Sequence, residues 1–309
     1  MTKVILHKRN ILFVLTWLAL MCGCTPQAPR LDVTPLKPAT FSSLQQHLFR
    51  SKPDLDQFRL RGPFLVTEKL DNEIRLSEKE RVNSDLYLSS HGEKAPLAIF
   101  LHGYDSSKQD HSYQAMHLAS WGVNSLVLDL RARAAWVNNG RLLARLVKLI
   151  QTSPDMIDSR IDMGRIILVG HSFGGYSVTV ALAEGTSVLG AILLDPATVD
   201  RSAPSYLARV RTPTVVLGAD EYVSSARNRN YFFRYIKGGV AEVSIKGANH
   251  EDAQSPSHFS NTTEEYQVTF ISALTGAAIS FSGGRGFDYA WESFGSAIAK
   301  DTLFNPRKK

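Results

Sequence analysis

Cysteine is almost absent from this chain. Cys22 and Cys24 are the only two in 309 residues, which excludes a disulfide framework and leaves stability to the hydrophobic core, for which the length is ample. No cysteine pair, His-x-x-x-His or carboxylate cluster has the spacing of metal ligands, and no cofactor is expected. An excess of one charge is lacking as well. Residues 1–23 carry three basic side chains (Lys3, Lys8 and Arg9) and no acidic ones, so the rest holds 32 Lys+Arg against 29 Asp+Glu. The sequence pI of 9.3 therefore overstates basicity, and without an aromatic-interleaved basic stripe no nucleic-acid partner is expected. There is no internal repeat and no low-complexity block.

No apolar run is long enough to span a bilayer comfortably. The one at Ile11–Met21 follows Lys3, Lys8 and Arg9 and precedes Cys22-Gly23-Cys24-Thr25, the layout of a cleaved export signal over residues 1–23. Gly23-Cys24 resembles the lipobox of bacterial lipoproteins, which implies lipidation of Cys24, a membrane partner through that anchor, and a place in the cell envelope. Ordinary secretion is the alternative. Residues 24–40 include Pro26, Pro29, Pro35 and Pro38 and read as an extended tether. The domain proper is expected over 41–309. Its tail, Asn305-Pro306-Arg307-Lys308-Lys309, reads as a frayed, solvated end.

Inside the domain, strand and helix signals alternate. Residues 63–70 and 82–89 have the mixed polarity of antiparallel edge strands. Continuous apolar runs at 96–101, 125–130, 165–169, 191–194, 212–217 and 241–245 read as buried parallel strands. Helical patterns near 110–121, 139–151, 224–236 and 264–279 lie between or after them; Leu143, Leu146, Val147 and Ile150 share one face. One α/β domain is expected, with a mainly parallel, doubly wound sheet covered by helices on both faces.

The chemistry centres on Gly170-His171-Ser172-Phe173-Gly174-Gly175. A G-x-S-x-G string between an apolar strand and a helix-forming run places its serine on a tight turn, as a nucleophile requires. A serine hydroxyl is a weak nucleophile at neutral pH. It needs a histidine base, and a carboxylate to hold that imidazole in the right tautomer. His250, in Lys246-Gly247-Ala248-Asn249-His250 after the last expected strand, is the candidate base, and His258 a distant second. Asp195, after Ile192-Leu193-Leu194, and Asp220, after Leu217-Gly218-Ala219, both follow strand ends and are both candidates for the acid. Developing charge on the carbonyl oxygen calls for two backbone donors. Phe173 N–H and Tyr104 N–H, the latter after Leu101-His102-Gly103, are the expected oxyanion hole.

With these residues in place the chain resembles α/β-hydrolases of the dienelactone-hydrolase and platelet-activating-factor-acetylhydrolase kind over roughly residues 80–255, and shares its elbow and Gly-x-x-His ending with cutinase-like polyester hydrolases. Similarity to the acetylhydrolases implies Asp195 as the acid, and similarity to the cutinase-like enzymes implies Asp220; Asp195 is preferred. The resemblance implies a serine ester hydrolase working through an acyl-enzyme on lipid or other short acyl esters. An acyltransferase or peptidase with the same residues, and a non-catalytic envelope binding protein on the same fold, are the alternatives. Little separates Asp195 from the next strand, so no large lid is expected. Arg131, Arg133 and Trp136 are candidate wall residues for an open cleft.

Overall fold

The computed structural model describes residues 40–129, 135–153, 156–221 and 228–309. The expected signal over 1–23, Cys24 and almost all of the tether lie outside these residues, as do Arg131 and Arg133. Among the described residues, nine strands form one sheet in the order β1-β2-β4-β3-β5-β6-β7-β8-β9. The strands are β1 (Val66–Arg75), β2 (Arg81–Ser89), β3 (Ala95–Leu101), β4 (Asn124–Asp129), β5 (Ile161–His171), β6 (Gly190–Leu194), β7 (Thr214–Gly218), β8 (Val240–Ile245) and β9 (Leu303–Lys308). Pairing is parallel from β4 through β3, β5, β6 and β7 to β8, and antiparallel at β1–β2, β2–β4 and β8–β9.

Period-two burial explains the two-sided core. Along β3, Ala98 and Phe100 join one apolar cluster, while Leu97, Ile99 and Leu101 join the other; Val169 and Leu168 of β5 divide in the same way. The first cluster is closed by α1 (Phe41–Arg50), α2 (Ser112–Ser120), α7 (Glu264–Ser282) and α8 (Asp288–Ala299). The second is closed by α3 (Trp136–Thr152), α4 (Ser172–Ala183), α5 (Ala203–Leu207) and α6 (Arg229–Tyr235). Leu143, Leu146, Val147 and Ile150 of α3 are all buried on its inward face. Each such side chain contributes roughly 1.5–3 kcal/mol through burial. The excursion between β6 and β7 holds only α5. No helix among the described residues is long and apolar enough to cross a membrane.

The C-terminus corrects the sequence reading. Residues 303–308 form the edge strand β9, with Glu242 opposite Arg307 and Ala241 opposite Lys308. Its basic side chains and Pro306 suggest a solvated tail, but proline is tolerated on an edge strand, and Arg307 donates a hydrogen bond to the buried Glu242 carboxylate. Helices α1 and α8 lie outside the helical patterns expected from the sequence, although in α1 the buried Phe41, Leu44 and Leu48 stand at helical spacing.

Candidate active site

Parallel strands bring the candidate residues to one edge, because Tyr104, Ser172, Asp195 and His250 all lie beyond the carboxyl ends of β3, β5, β6 and β8. Ser172 occupies the junction of β5 and α4 with φ of 53°, a left-handed conformation that costs a non-glycine residue on the order of 1–3 kcal/mol. The turn closes because its flanking glycines lack side chains. A Cβ at Gly170 would lie 2.6 Å from Gly174 O, and one at Gly174 would lie 2.4 Å from His102 O. The hydroxyl is thereby held against the loop after β3.

Ser172 Oγ lies 2.9 Å from His250 Nε2, and His250 Nδ1 lies 2.6 Å from Asp195 Oδ2. The imidazole thus bridges hydroxyl and carboxylate, with Nδ1–H the donor to Asp195. Asp195 is 1% exposed. Its Oδ1 accepts from Ala219 N at 3.0 Å and its own N–H donates to Leu217 O at 2.7 Å, so the end of β7 fixes its position. Asp220 stands elsewhere: its Oδ2 accepts from Gly247 N at 2.9 Å, and its N–H donates to Ala248 O at 2.8 Å. Of the two carboxylates left open by the sequence, Asp195 meets the imidazole and Asp220 holds the backbone that carries it. His258 pairs instead with Asp110, Nδ1 to Oδ1 at 2.8 Å.

Burial on its own depresses the basicity of His250, but the hydrogen bond and charge of Asp195, with the charge of Glu251, outweigh it and raise the pKa above the usual value. Two neighbours behave oppositely. His171 is pushed well down by burial, with the His250 and His111 charges adding to the effect, and burial lowers His111 to about 4. Near neutral pH this leaves His250 as the titrating imidazole of the three.

Two features of the site were not read from the sequence. Asp110 accepts from Ser106 Oγ, Ser107 N and Ser107 Oγ as well as meeting His258, tying the loop after β3 to the segment after His250. Arg229 and Glu242 stand buried behind Asp195. The legible signal for the latter was a glutamate inside the apolar strand Val240–Ile245.

A cavity of about 540 Å³ is lined by Tyr104, Trp136, Phe173, Tyr176, Val199 and Asp200, and reaches the elbow through Phe173, the residue after Ser172. Trp136 stacks on Phe173 with centroids 4.8 Å apart and meets Tyr104 edge-on at 6.4 Å. Tyr104 and Val199 are among the most exposed large apolar side chains, at 59% and 57%, so the cavity mouth is apolar. Among the described residues no three His, Cys, Asp or Glu side chains are grouped to hold a metal ion.

A family model described as alpha/beta hydrolase matches residues 98–292, which include all four strand-end positions. The chain belongs to the alpha/beta hydrolase family. Over 175 residues this hydrolase is 29% identical to a bis(hydroxyethyl) terephthalate hydrolase of Streptomyces coelicolor, covering 55% of the chain and 54% of that relative. Over 200 residues it is 24% identical to cutinase 1 of Thermobifida cellulosilytica, covering 61% of the chain and 72% of the relative. A cutinase of Thermobifida fusca matches at 24% over 200 residues, covering 61% and 63%. The match thus spans about half the length of the terephthalate-ester relative.

Proposed function

We propose that this alpha/beta hydrolase is a serine ester hydrolase acting through an acyl-enzyme. Ser172 Oγ attacks the ester carbonyl while His250 Nε2 takes its proton, and Asp195 holds the resulting imidazolium. The Phe173 and Tyr104 amides receive the oxyanion, each such donor being worth roughly 3 kcal/mol to the barrier. The alcohol leaves with the proton from His250. Water then attacks the acyl-enzyme, His250 again takes the proton, and the acid departs as Ser172 is restored. The observation that carries this reading is the single imidazole within hydrogen-bond reach of both Ser172 Oγ and Asp195 Oδ2, at 2.9 and 2.6 Å. The names of the relatives, a terephthalate diester hydrolase and cutinases, support an ester as the bond cut.

The cavity supports an apolar acyl or aryl ester as substrate, since Trp136, Phe173 and Tyr104 offer broad flat surfaces reaching the elbow. Hydrolysis of short-chain p-nitrophenyl esters by the purified protein, with labelling by a fluorophosphonate probe, is the test. Both are expected to vanish in Ser172→Ala, and activity unchanged in that variant would overturn the reading. For location, the basic start, apolar run and Gly23-Cys24 support export with lipidation at Cys24. Radiolabelled palmitate should be incorporated in a bacterial host and be lost in Cys24→Ser; equal labelling of both overturns the anchor.

A further inference from the structure

We infer that Arg229, Glu242 and Arg307 form a buried chain of alternating charge that ends on Asp195, with Arg229 a positioning residue for the acid and strand β9 holding the far end. Arg229 Nη1 lies 3.8 Å from Asp195 Oδ1, and Arg229 Nε lies 3.8 Å from Glu242 Oε1. Glu242 Oε1 in turn accepts from Arg307 Nη2, and the same Nη2 reaches Asn230 Oδ1 at 2.6 Å. Side-chain exposure along the chain is 1% for Asp195, 2% for Arg229, 0% for Glu242 and 37% for Arg307, so only the outermost charge meets water.

The backbone makes room for this arrangement. A Cβ at Gly218 would lie 2.2 Å from Arg229 Cδ and 2.8 Å from its Nε, so the end of β7 admits the guanidinium only because residue 218 is glycine. Stability alone is a poor reason for it, since well-packed apolar residues commonly replace buried ion pairs without loss. The pattern has a direction instead. Imidazolium, carboxylate, guanidinium, carboxylate and guanidinium alternate from His250 outward, and each buried charge has an opposite neighbour.

This chain bears on the reaction through His250. Among the described residues, the ionisable groups facing that imidazole are Asp195 from the loop after β6, Glu251 from its own turn and His171 from the end of β5. Asp195 faces His250, Arg229 of α6 and, farther off, Glu242 of β8. Arg229 faces Asp195 and Glu242, and Arg307 of β9 lies beyond Glu242. A positive charge behind Asp195 restrains how strongly the acid–imidazole pair takes up a proton, and a negative charge behind Arg229 moderates that restraint.

The inference rests on the triad reading, and its test separates the two. The full chain and its Arg229→Gln and Glu242→Gln variants are compared by the pH dependence of kcat/KM on a p-nitrophenyl ester, with melting temperatures in parallel. Loss of the guanidinium charge should move the acidic limb to higher pH, and loss of the Glu242 charge should move it to lower pH, each by roughly half a unit or more. A purely structural role lowers the melting temperature without shifts of opposite sign. Limbs that superimpose on the parent, or that move the same way, overturn the inference. If Arg229→Gln fails to fold, the near-isosteric Glu242→Gln decides alone: an unmoved or upward-moving limb overturns it. An inactive parent protein would instead overturn the triad reading.

Discussion

Asp220 accepts a hydrogen bond from the Gly247 amide at 2.9 Å, anchoring the loop whose next three residues end at His250. Asp195, by contrast, meets the imidazole itself. Neutral substitutions should therefore separate the two. Asp195→Asn removes the acceptor for Nδ1–H and the charge that stabilises imidazolium, and kcat should fall roughly a thousandfold or more. Asp220→Asn keeps a carbonyl acceptor for Gly247 and should cost less than about tenfold, through loop placement. Steady-state kinetics on folded variants checks both, and a larger loss at Asp220 would reverse the assignment.

The raised pKa of His250 sets the pH dependence. In the proposed mechanism His250 acts as a neutral base, so kcat/KM should fall as pH drops through a value above the ordinary histidine pKa of 6.5. The linked stability runs the other way. A histidine whose folded pKa is raised contributes stability that is full below its unfolded pKa and lost as pH rises through the folded one. Nitrogen-15 or proton NMR titration of His250, with His250→Gln to assign it, checks the direction.

Trp136 faces Phe173 across the cavity wall at a stacking distance of 4.8 Å. Trp136→Ala should raise KM for esters of aromatic or longer acids by roughly tenfold or more, with little change for acetate esters, which do not fill the cavity. Equal losses for both classes would place the bound acid elsewhere.

Removal of residues 303–309 exposes the edge of β8, removes the buried Leu303 and strips Glu242 of the Arg307 hydrogen bond. Glu242 keeps the Arg229 guanidinium at 3.8 Å, so the loss is that of one charge-assisted hydrogen bond, about 1.5–3 kcal/mol, together with the burial of Leu303. The truncated protein should melt well below the full chain in a thermal scan. A freely solvated tail would leave the melting temperature unchanged.

Gly174→Ala tests the close approach at the elbow. The new methyl would meet the backbone oxygens of Leu101 and His102 at 2.5 and 2.4 Å, where no flexible side chain can yield. The loop carrying the Tyr104 amide must then shift, with an overpacking cost of roughly 1–3 kcal/mol. Activity should fall further than the change in melting temperature alone would explain.

Much of this was legible in one dimension because each signal is local. Buried parallel strands are continuous apolar runs, and a serine between two glycines at a strand–helix junction advertises a strained turn; hence β3–β8, Ser172 and His250 could be read in order. The choice between Asp195 and Asp220 was not local. Both follow apolar strands by one or two residues, and only the lateral order of β6, β7 and β8, with the backbone donors at Ala219 and Gly247, decides which carboxylate reaches the imidazole. The same holds for β9. Its basic, proline-containing sequence carries no strand signal of its own, and it becomes a strand because β8 offers an unpaired edge and a buried carboxylate. The sequence by itself determined the elements that bury their own apolar faces and the turn that strains the serine; the tertiary structure decided every contact in which a charge finds its opposite, since a charge's place is set by neighbours distant in the chain.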